Sequence, residues 1–351
     1  MFLALKEIRK EKLRSGLIIA MIVLISYLIF ILTSLALGLA RENTDALDAW
    51  GVDSVTLNAN ANVDMRQSLI TPAQAGPLSA DEAYIGQASV VAKAKGHAKL
   101  SAVFIGLKAS QFVARDLKLT RGHRPTTAHE LVVDTSLADA GHELGDTLKL
   151  NADPKPYTIV GFTAHAKMNI APVLYGQLAA WQTLKDLMPG PIASAIVSRD
   201  AGYRAKDRAL QTYSLKTFIN KLPGYSAQNM TFELMIGFLM VISLIVIAVF
   251  LYILTMQKLP NYAVLRAQGL PSRVLVGATV SQSLLLVAAG LVLGTALTVI
   301  TAVAMPASVP MAFDVPVLAL VGVGLLAMAL VGGLIPVRSV LRVDPVSVIG
   351  G

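Results

Sequence analysis

The sequence predicts an α-helical membrane protein with four transmembrane helices and an α+β extracytoplasmic domain inserted between the first and second. Three observations carry this. Hydrophobic residues make up 54% of the chain and charged residues only 15%, a balance far from that of ordinary soluble domains. Hydropathy marks four runs long enough to cross a bilayer, within 16–40, 230–256, 281–304 and 317–337, and none has Lys, Arg or Asp at its centre. The long stretch between the first two runs, 41–229, has mixed polarity and alternates strand and helix signals.

Residues 1–15 read as an interfacial amphipathic helix. Phe2, Leu5 and Ile8 recur at helical spacing, with Lys6, Arg9, Lys10 and Lys12 on the other side. A simple topogenic charge cluster is the other reading of the same residues. The run 16–40 is expected to be an uncleaved anchor. Gly38-Leu39-Ala40 offers a small-residue cleavage site, but the apolar region exceeds the roughly 7–15 residues of a signal peptide.

Orientation follows from the basic residues. Lys6, Arg9, Lys10, Lys12 and Arg14 precede the first run, Lys258, Arg266 and Arg273 lie between the second and third, and Arg338 and Arg342 follow the fourth. The connection 305–316 has no Lys or Arg. The positive-inside rule then puts both termini, the loop 257–280 and the tail 338–351 in the cytoplasm, with 305–316 and 41–229 outside, as expected for a plasma-membrane multi-pass protein. The net charge of +8 is largely this bias and is no nucleic-acid signal.

Within 41–229 the expected strands are Ser54–Leu57, Ala88–Ala92, Ala102–Leu107, Glu130–Val133, Thr147–Leu150, Tyr157–Phe162 and Ala193–Val197, rich in Val, Ile, Thr and Tyr. Expected helices are Ser110–Leu117, Ser136–Ala140, Gly176–Leu187 and a longer one over Ala201–Leu222. Leu69–Ser79, rich in Pro, Ala and Gln, reads as a flexible excursion. The chain has no cysteine, so a core and not disulfides must hold this domain.

The second apolar run ends at Met256, and a separate short helix is expected over Asn261–Gln268, closed by Gly269 and Pro271. Such a basic knob is either an ordinary positive-inside turn or a surface that presses on a soluble motor. In the last two runs, Gly290 and Gly294, and the pair Gly332-Gly333, are small residues of the kind that let helix backbones approach closely in lipid.

Motifs for chemistry are missing. There is no G-x-x-x-x-G-K-[ST] loop, no H-E-x-x-H and no G-x-S-x-G, and an active site within the chain is not expected. The five histidines, His97, His123, His129, His142 and His165, all fall in 41–229 without tight metal-ligand spacing. At the start of the second run, Met230, Glu233, Gly237 and Met240 recur at i, i+3, i+7 and i+10. Carboxylates at an interface ordinarily snorkel to water, and methionines at helical spacing ordinarily pack. The sharper reading is a ligand site, with a carboxylate and a thioether presented above the gap left by Gly237.

The segment Lys258-Leu259-Pro260-Asn261-Tyr262-Ala263-Val264-Leu265-Arg266-Ala267-Gln268-Gly269 resembles the K-x-x-E-x-x-x-L-R-A-x-G coupling segment of FtsX/MacB-type ABC transporter permeases, with Asn261 in place of the acidic residue. The tail from Val337 through Arg342, Asp344 and Pro345 to Ile349 is similar to that family's closing A-x-R-x-D-P-x-x-x-L signature, and His129–Thr163 resembles its outer-domain core. The resemblance covers essentially the whole chain. It implies a homodimer bound to two copies of a separate ABC ATPase subunit, which holds the ATP and magnesium. The permease itself then has no intrinsic cofactor, and Leu265, Arg266, Gly269, Asp344 and Pro345 couple it to the motor. Within the family, the short, cysteine-free, four-span form looks most like the haem-exporter permeases of Gram-positive bacteria. That likeness implies haem as transported ligand, Glu233 and Met230 as iron-side contacts, and Phe232, Phe30 and Thr33 against the porphyrin. Tyr175 and Tyr157 are further candidate contacts. Another amphipathic cargo, such as a peptide antibiotic or a lipid, or a non-transporting relay to a cell-wall hydrolase, are the alternatives.

Overall fold

The computed structural model describes residues 11–151, 153–187, 190–306 and 309–341. The amphipathic segment at the N-terminus and the coupling positions Asp344 and Pro345 lie mainly or wholly outside the described residues. The chain forms two compact units, one of residues 39–229 and one of the residues flanking them.

The first helix, α1 (Lys12–Ala49), gives its apolar length to the flanking unit and its last turns to the 39–229 unit. The latter continues with β1 (Ser54–Asn58), α2 (Pro72–Ala75), β2 (Glu82–Lys93), β3 (Leu100–Leu107), α3 (Phe112–Asp116), β4 (Leu119–Gly122), β5 (Glu130–Asp134) and α4 (Thr135–Asp139). Then come β6 (Thr147–Leu150), β7 (Tyr157–Thr163), β8 (Lys167–Met168), β9 (Ala171–Gln177), α5 (Leu178–Leu184), β10 (Ala195–Ser198), β11 (Leu210–Ser214) and α6 (Leu215–Asn220). The strands form one 11-stranded sheet in the order β11-β1-β10-β2-β3-β9-β5-β7-β4, with β8 paired to β9. Strand β6 pairs with both β2 and β7, so β2, β3, β9, β5, β7 and β6 close into a ring.

Alternating side chains divide between two cores. One fills the ring and includes Phe104, Leu131, Tyr157, Leu174 and Trp181. The other lies under the last turns of α1 and includes Leu47, Trp50, Ile105, Phe112, Tyr175 and Phe218. Trp181 rests on the cross-strand pair Gly86 and Gly106, where a Cβ would come within 2.5 and 2.8 Å of its side chain, and its Nε1 donates to the Gln87 carbonyl at 2.9 Å.

Each strand expected from the sequence overlaps a strand of this sheet, but β4, β8, β9 and β11 were not anticipated. Strand β9 runs parallel to β3 and antiparallel to β5 at the centre of the sheet. Pro172 and Gly176 disguise it. The proline sits at the second position of the strand, opposite only the short β8, and Gly176 yields space to Phe104, whose ring a Cβ would meet at 2.6 Å. The expected helix over Ala201–Leu222 is instead a turn, β11 and α6. Pairing with β1 wins there: Leu210–Ser214 match five residues of β1, and the hydroxyls of Thr56 and Thr212 bond at 2.7 Å. Leu69–Ser79 is also ordered in part, with Ile70 bridged to Ala193 and α2 following.

The flanking unit adds α7 (Tyr225–Ala267), α8 (Ser272–Ala304) and α9 (Val315–Leu341), so that among the described residues four helices are long and apolar enough to cross a membrane. On α7 the buried residues Ser243, Ile247, Leu251, Leu254, Lys258 and Tyr262 recur every three or four positions, one stripe facing the other helices. The expected close approaches occur. A Cβ on Gly290 would lie 2.5 Å from Ile22, one on Gly294 2.2 Å from Ser26, and one on Gly332 3.2 Å from Ala248. The α8–α9 connection lies against α1, where the Ala312 amide donates to the Ser34 carbonyl at 2.9 Å.

The expected break between the second apolar run and a separate Asn261–Gln268 helix is absent. One helix runs through both, with Pro260 inside it. A proline removes a single backbone donor. Against that loss, Lys258 and Tyr262 on either side make side-chain bonds to α8 that hold the turn helical.

Candidate functional site

At its N-terminal end α7 presents a face that nothing in its own unit covers. Met230 is 63% exposed, and Leu234, Phe238, Val241, Ile242 and Ile245 follow on the same side with large exposed surfaces. Glu233 and Gly237 are exposed among them. A carboxylate and a thioether one turn apart at the head of an apolar helix face can meet an amphipathic ligand, lipid or a second helix.

The other candidates are placed differently. Met240 does not share the exposed face; it is half-buried, and its methyl group packs at Gly324 of α9. Phe232 is half-buried. Phe30 and Thr33 lie inside the bundle, Phe30 in its apolar core and Thr33 donating its hydroxyl to the Ile29 carbonyl at 2.7 Å. Glu233, Met230, Phe30 and Thr33 therefore do not line one exposed surface in this arrangement.

Tyr175 and Tyr157 are core residues of the 39–229 unit. The Tyr175 hydroxyl accepts from Trp50 Nε1 at 3.1 Å, and burial pushes this phenol's pKa well up. The Tyr157 hydroxyl donates to Asp153 at 2.7 Å, and burial, then Asp153, raise its pKa likewise. Neither ring offers a face to an incoming ligand, a correction to their reading as haem contacts. Aromatic enrichment alone does not separate a core tyrosine from a binding one.

The C-terminal end of α7 holds the coupling candidates. Gly269 has φ +89°, its amide donates to the Arg266 carbonyl at 2.9 Å, and the Leu270 amide donates to the Leu265 carbonyl at 3.1 Å. This pair of bonds is a Schellman motif, which requires a left-handed residue at the glycine position. Pro271 then caps α8, so the helices are joined by a connection of Gln268–Pro271. Leu265 packs beside Tyr262 and Leu275, while Arg266 is half-buried on the last turn. Just above, Lys258 Nζ donates to Gln282 Oε1 at 2.7 Å, and the Tyr262 and Thr279 hydroxyls bond at 3.2 Å. In the sequence Lys258 stands as a positive-inside charge and as the first residue of the coupling-segment resemblance, with no sign in either that it is buried. Its phase with Ser243, Ile247, Leu251 and Leu254 is the signal that marks it as buried.

Residues 233–345 match the FtsX-like permease C-terminal family. Over 358 residues, covering 100% of this chain and 99% of the relative, the chain is 24% identical to the putative hemin transport system permease protein HrtB of Staphylococcus haemolyticus. It is 22% identical over 353 residues to that of Staphylococcus epidermidis, with 100% and 99% covered. To an uncharacterized ABC transporter permease of Mycobacterium tuberculosis it is 25% identical over 370 residues, again covering 100% and 99%. Among solved structures, the periplasmic region of MacB from Actinobacillus actinomycetemcomitans is similar with a TM-score of 0.36 and 15% identity, over 49% of this chain and 94% of that one. Residues 233–345 are therefore similar to the FtsX-like permease C-terminal family, and the chain is similar from end to end to proteins named as hemin-transport or ABC transporter permeases.

Proposed function

We propose that the chain is the non-catalytic permease subunit of an ABC-type exporter that extrudes haem from the membrane. The observation that carries this is the end-to-end similarity to permeases named for hemin transport, which runs through both units and not only the FtsX-like domain. Two copies of the chain pair through their helical units and bind two copies of a separate ATPase, which holds ATP and magnesium. Both termini and the α7–α8 turn face the cytoplasm, and the 39–229 unit faces out.

Helix α7 is the moving part. Its 43 residues span about 64 Å, twice the roughly 30 Å of the hydrocarbon layer. One unbroken rod thus runs from the turn at Gly269 to the exposed face at Met230 and Glu233. Force applied by the ATPase at Leu265, Arg266 and Gly269, and at Asp344 and Pro345, tilts that rod. The tilt changes the gap between paired α7 faces, where haem enters sideways from the outer leaflet with its iron toward Glu233 and Met230.

The test is a haemin titration of the purified dimer. A saturable Soret shift that weakens in Glu233→Ala supports the site; an unchanged titration in that variant removes Glu233 from it. ATPase stimulation of the whole complex across haemin, lipids and peptide antibiotics decides the cargo. Stimulation by a peptide or lipid alone, or capture of a cell-wall hydrolase with no stimulation by any cargo, overturns haem export.

A further inference from the structure

Closure of the strand ring brings together three ligating side chains that are distant in sequence: His97 on the β2–β3 turn, His142 just after α4, and Asp146 just before β6. Their ligand atoms all lie within 4.8 Å of one another. The cause is strand pairing. Strands β2 and β6 pair antiparallel, with Ala92 opposite Leu150 and Lys93 opposite Lys149, which brings the turn that follows β2 close to the residues that precede β6.

His142 and Asp146 are held from behind. The Gly141 amide donates to the Ala138 carbonyl at 2.9 Å and the His142 amide to the Leu137 carbonyl at 3.0 Å, a Schellman motif that fixes the His142 backbone. Asp146 Oδ2 accepts the Glu143 amide at 2.9 Å, which fixes the carboxylate. The His142 ring is 7% exposed, and its Nδ1 has no hydrogen-bond partner among the described residues, with Asp146 Oδ2 at 3.8 Å. The His97 ring stacks on it with centroids 4.0 Å apart. A buried ring nitrogen without a hydrogen-bond partner, near a carboxylate and with a second imidazole stacked on its ring, is a polar group that an ion or a water can satisfy.

We infer that His97, His142 and Asp146 form a binding site for one divalent transition-metal ion of the zinc class. Two imidazoles and a carboxylate are the donor set of such ions, with water completing a tetrahedron. Bonds of about 2.0–2.2 Å place the donors closer together than they stand here. The adjustment falls to His97, which is less buried than His142 and follows Gly96 at φ +83°. The bound ion links the β2–β3 turn to the α4–β6 connection and so pins the seam at which β6 closes the ring. This inference stands apart from the permease reading, because its evidence lies wholly within the 39–229 unit.

The experiment is a cobalt(II) titration of the full chain, purified in detergent without a polyhistidine tag and stripped with chelator. One cobalt per chain, with the visible bands of a low-coordinate site and displacement by zinc, is expected. His97→Ala changes a turn residue, and Asp146→Asn keeps an acceptor for the Glu143 amide, so both variants should melt as the metal-free wild type does. Each should weaken cobalt binding at least tenfold. Absence of the cobalt bands in the wild type, or undiminished binding in both variants, overturns the site.

Discussion

Lys258 Nζ donates to Gln282 Oε1 at 2.7 Å between α7 and α8, with both residues 5% exposed. An ammonium taken out of water is stable only where such partners replace its hydration. Together with the Tyr262–Thr279 bond one turn further on, this contact ties the last turns of α7 to the first turns of α8. Whatever moves the Gly269 turn therefore moves both helices as one body. Gln282→Leu is expected to cost about 1–3 kcal/mol, since it takes an acceptor from a buried charge. Adding Lys258→Met should restore part of that loss. Thermal unfolding of the single and double variants in detergent measures both, and a double variant less stable than Gln282→Leu would show that the contact is not the source.

The coupling assignment makes a separate prediction. Arg266→Glu reverses a charge on the last turn of α7 without touching the Schellman bonds, whereas Leu265→Asp also disturbs the packing with Tyr262 and Leu275. Both are expected to reduce complex-dependent ATPase activity at least tenfold while leaving the haemin titration unchanged. Arg266→Glu is the cleaner variant, because Arg266 lies outside the apolar contact of Leu265 with Tyr262 and Leu275. Full ATPase stimulation in that variant would move the motor contact elsewhere.

Helix contacts in lipid depend on close approach more than on apolar area, and α8 offers an internal control. A Cβ at Gly294 would sit 2.2 Å from Ser26 Oγ, while one at Gly277 meets nothing within 4 Å among the described residues. Gly294→Val should destabilise the helical unit by about 1–3 kcal/mol through overpacking. Gly277→Ala should be neutral or stabilising by up to ~1 kcal/mol, from helix propensity. Melting temperatures of the two variants in the same detergent decide it, and equal shifts would mean that the α1–α8 contact is not tight.

These contacts also show what the sequence discloses. The apolar runs, the Gly290–Gly294 pair and most strands are written in local periodicity, and composition alone reaches them. Strand β9 is not, because Pro172 and Gly176 suit only the particular neighbours β8 and Phe104, which belong to the tertiary fold. The continuity of α7 through Pro260 was hidden for the same reason: its support comes from side chains on α8. The cluster of His97, His142 and Asp146 has no local signature, since the pairing of β2 with β6 brings its segments together. Glu233 and Met230 were legible as a carboxylate and a thioether one helical turn apart at the head of an apolar run. The inward orientation of Phe30 and Thr33 is set by packing and not by their residue types.

Acid stability of the 39–229 unit should report on Asp64 and Arg66. The Arg66 guanidinium grips the Asp64 carboxylate, with Nη2 to Oδ2 at 2.8 Å and Nε to Oδ1 at 3.0 Å, and Asp64 is 6% exposed. Burial alone would raise the Asp64 pKa, but the hydrogen bonds and charge of Arg66 outweigh it and hold the group below its ordinary value. The sign follows from proton counting. Between the lowered folded pKa and an unfolded value of about 3.9, the unfolded chain binds a proton that the folded chain refuses, so stability falls as pH falls. The contribution is complete above the unfolded value and disappears once the pH passes below the folded one. Arg66→Gln leaves a buried carboxylate without its cation, which at neutral pH should cost about 1–3 kcal/mol. With burial then the leading influence, the Asp64 pKa rises, and the acid-side slope from this residue flattens or reverses. Melting temperatures of wild type and Arg66→Gln from pH 3 to 7 give the comparison. The two curves should lie furthest apart at neutral pH and converge on acidification, and parallel curves would show that Asp64 is not held by Arg66.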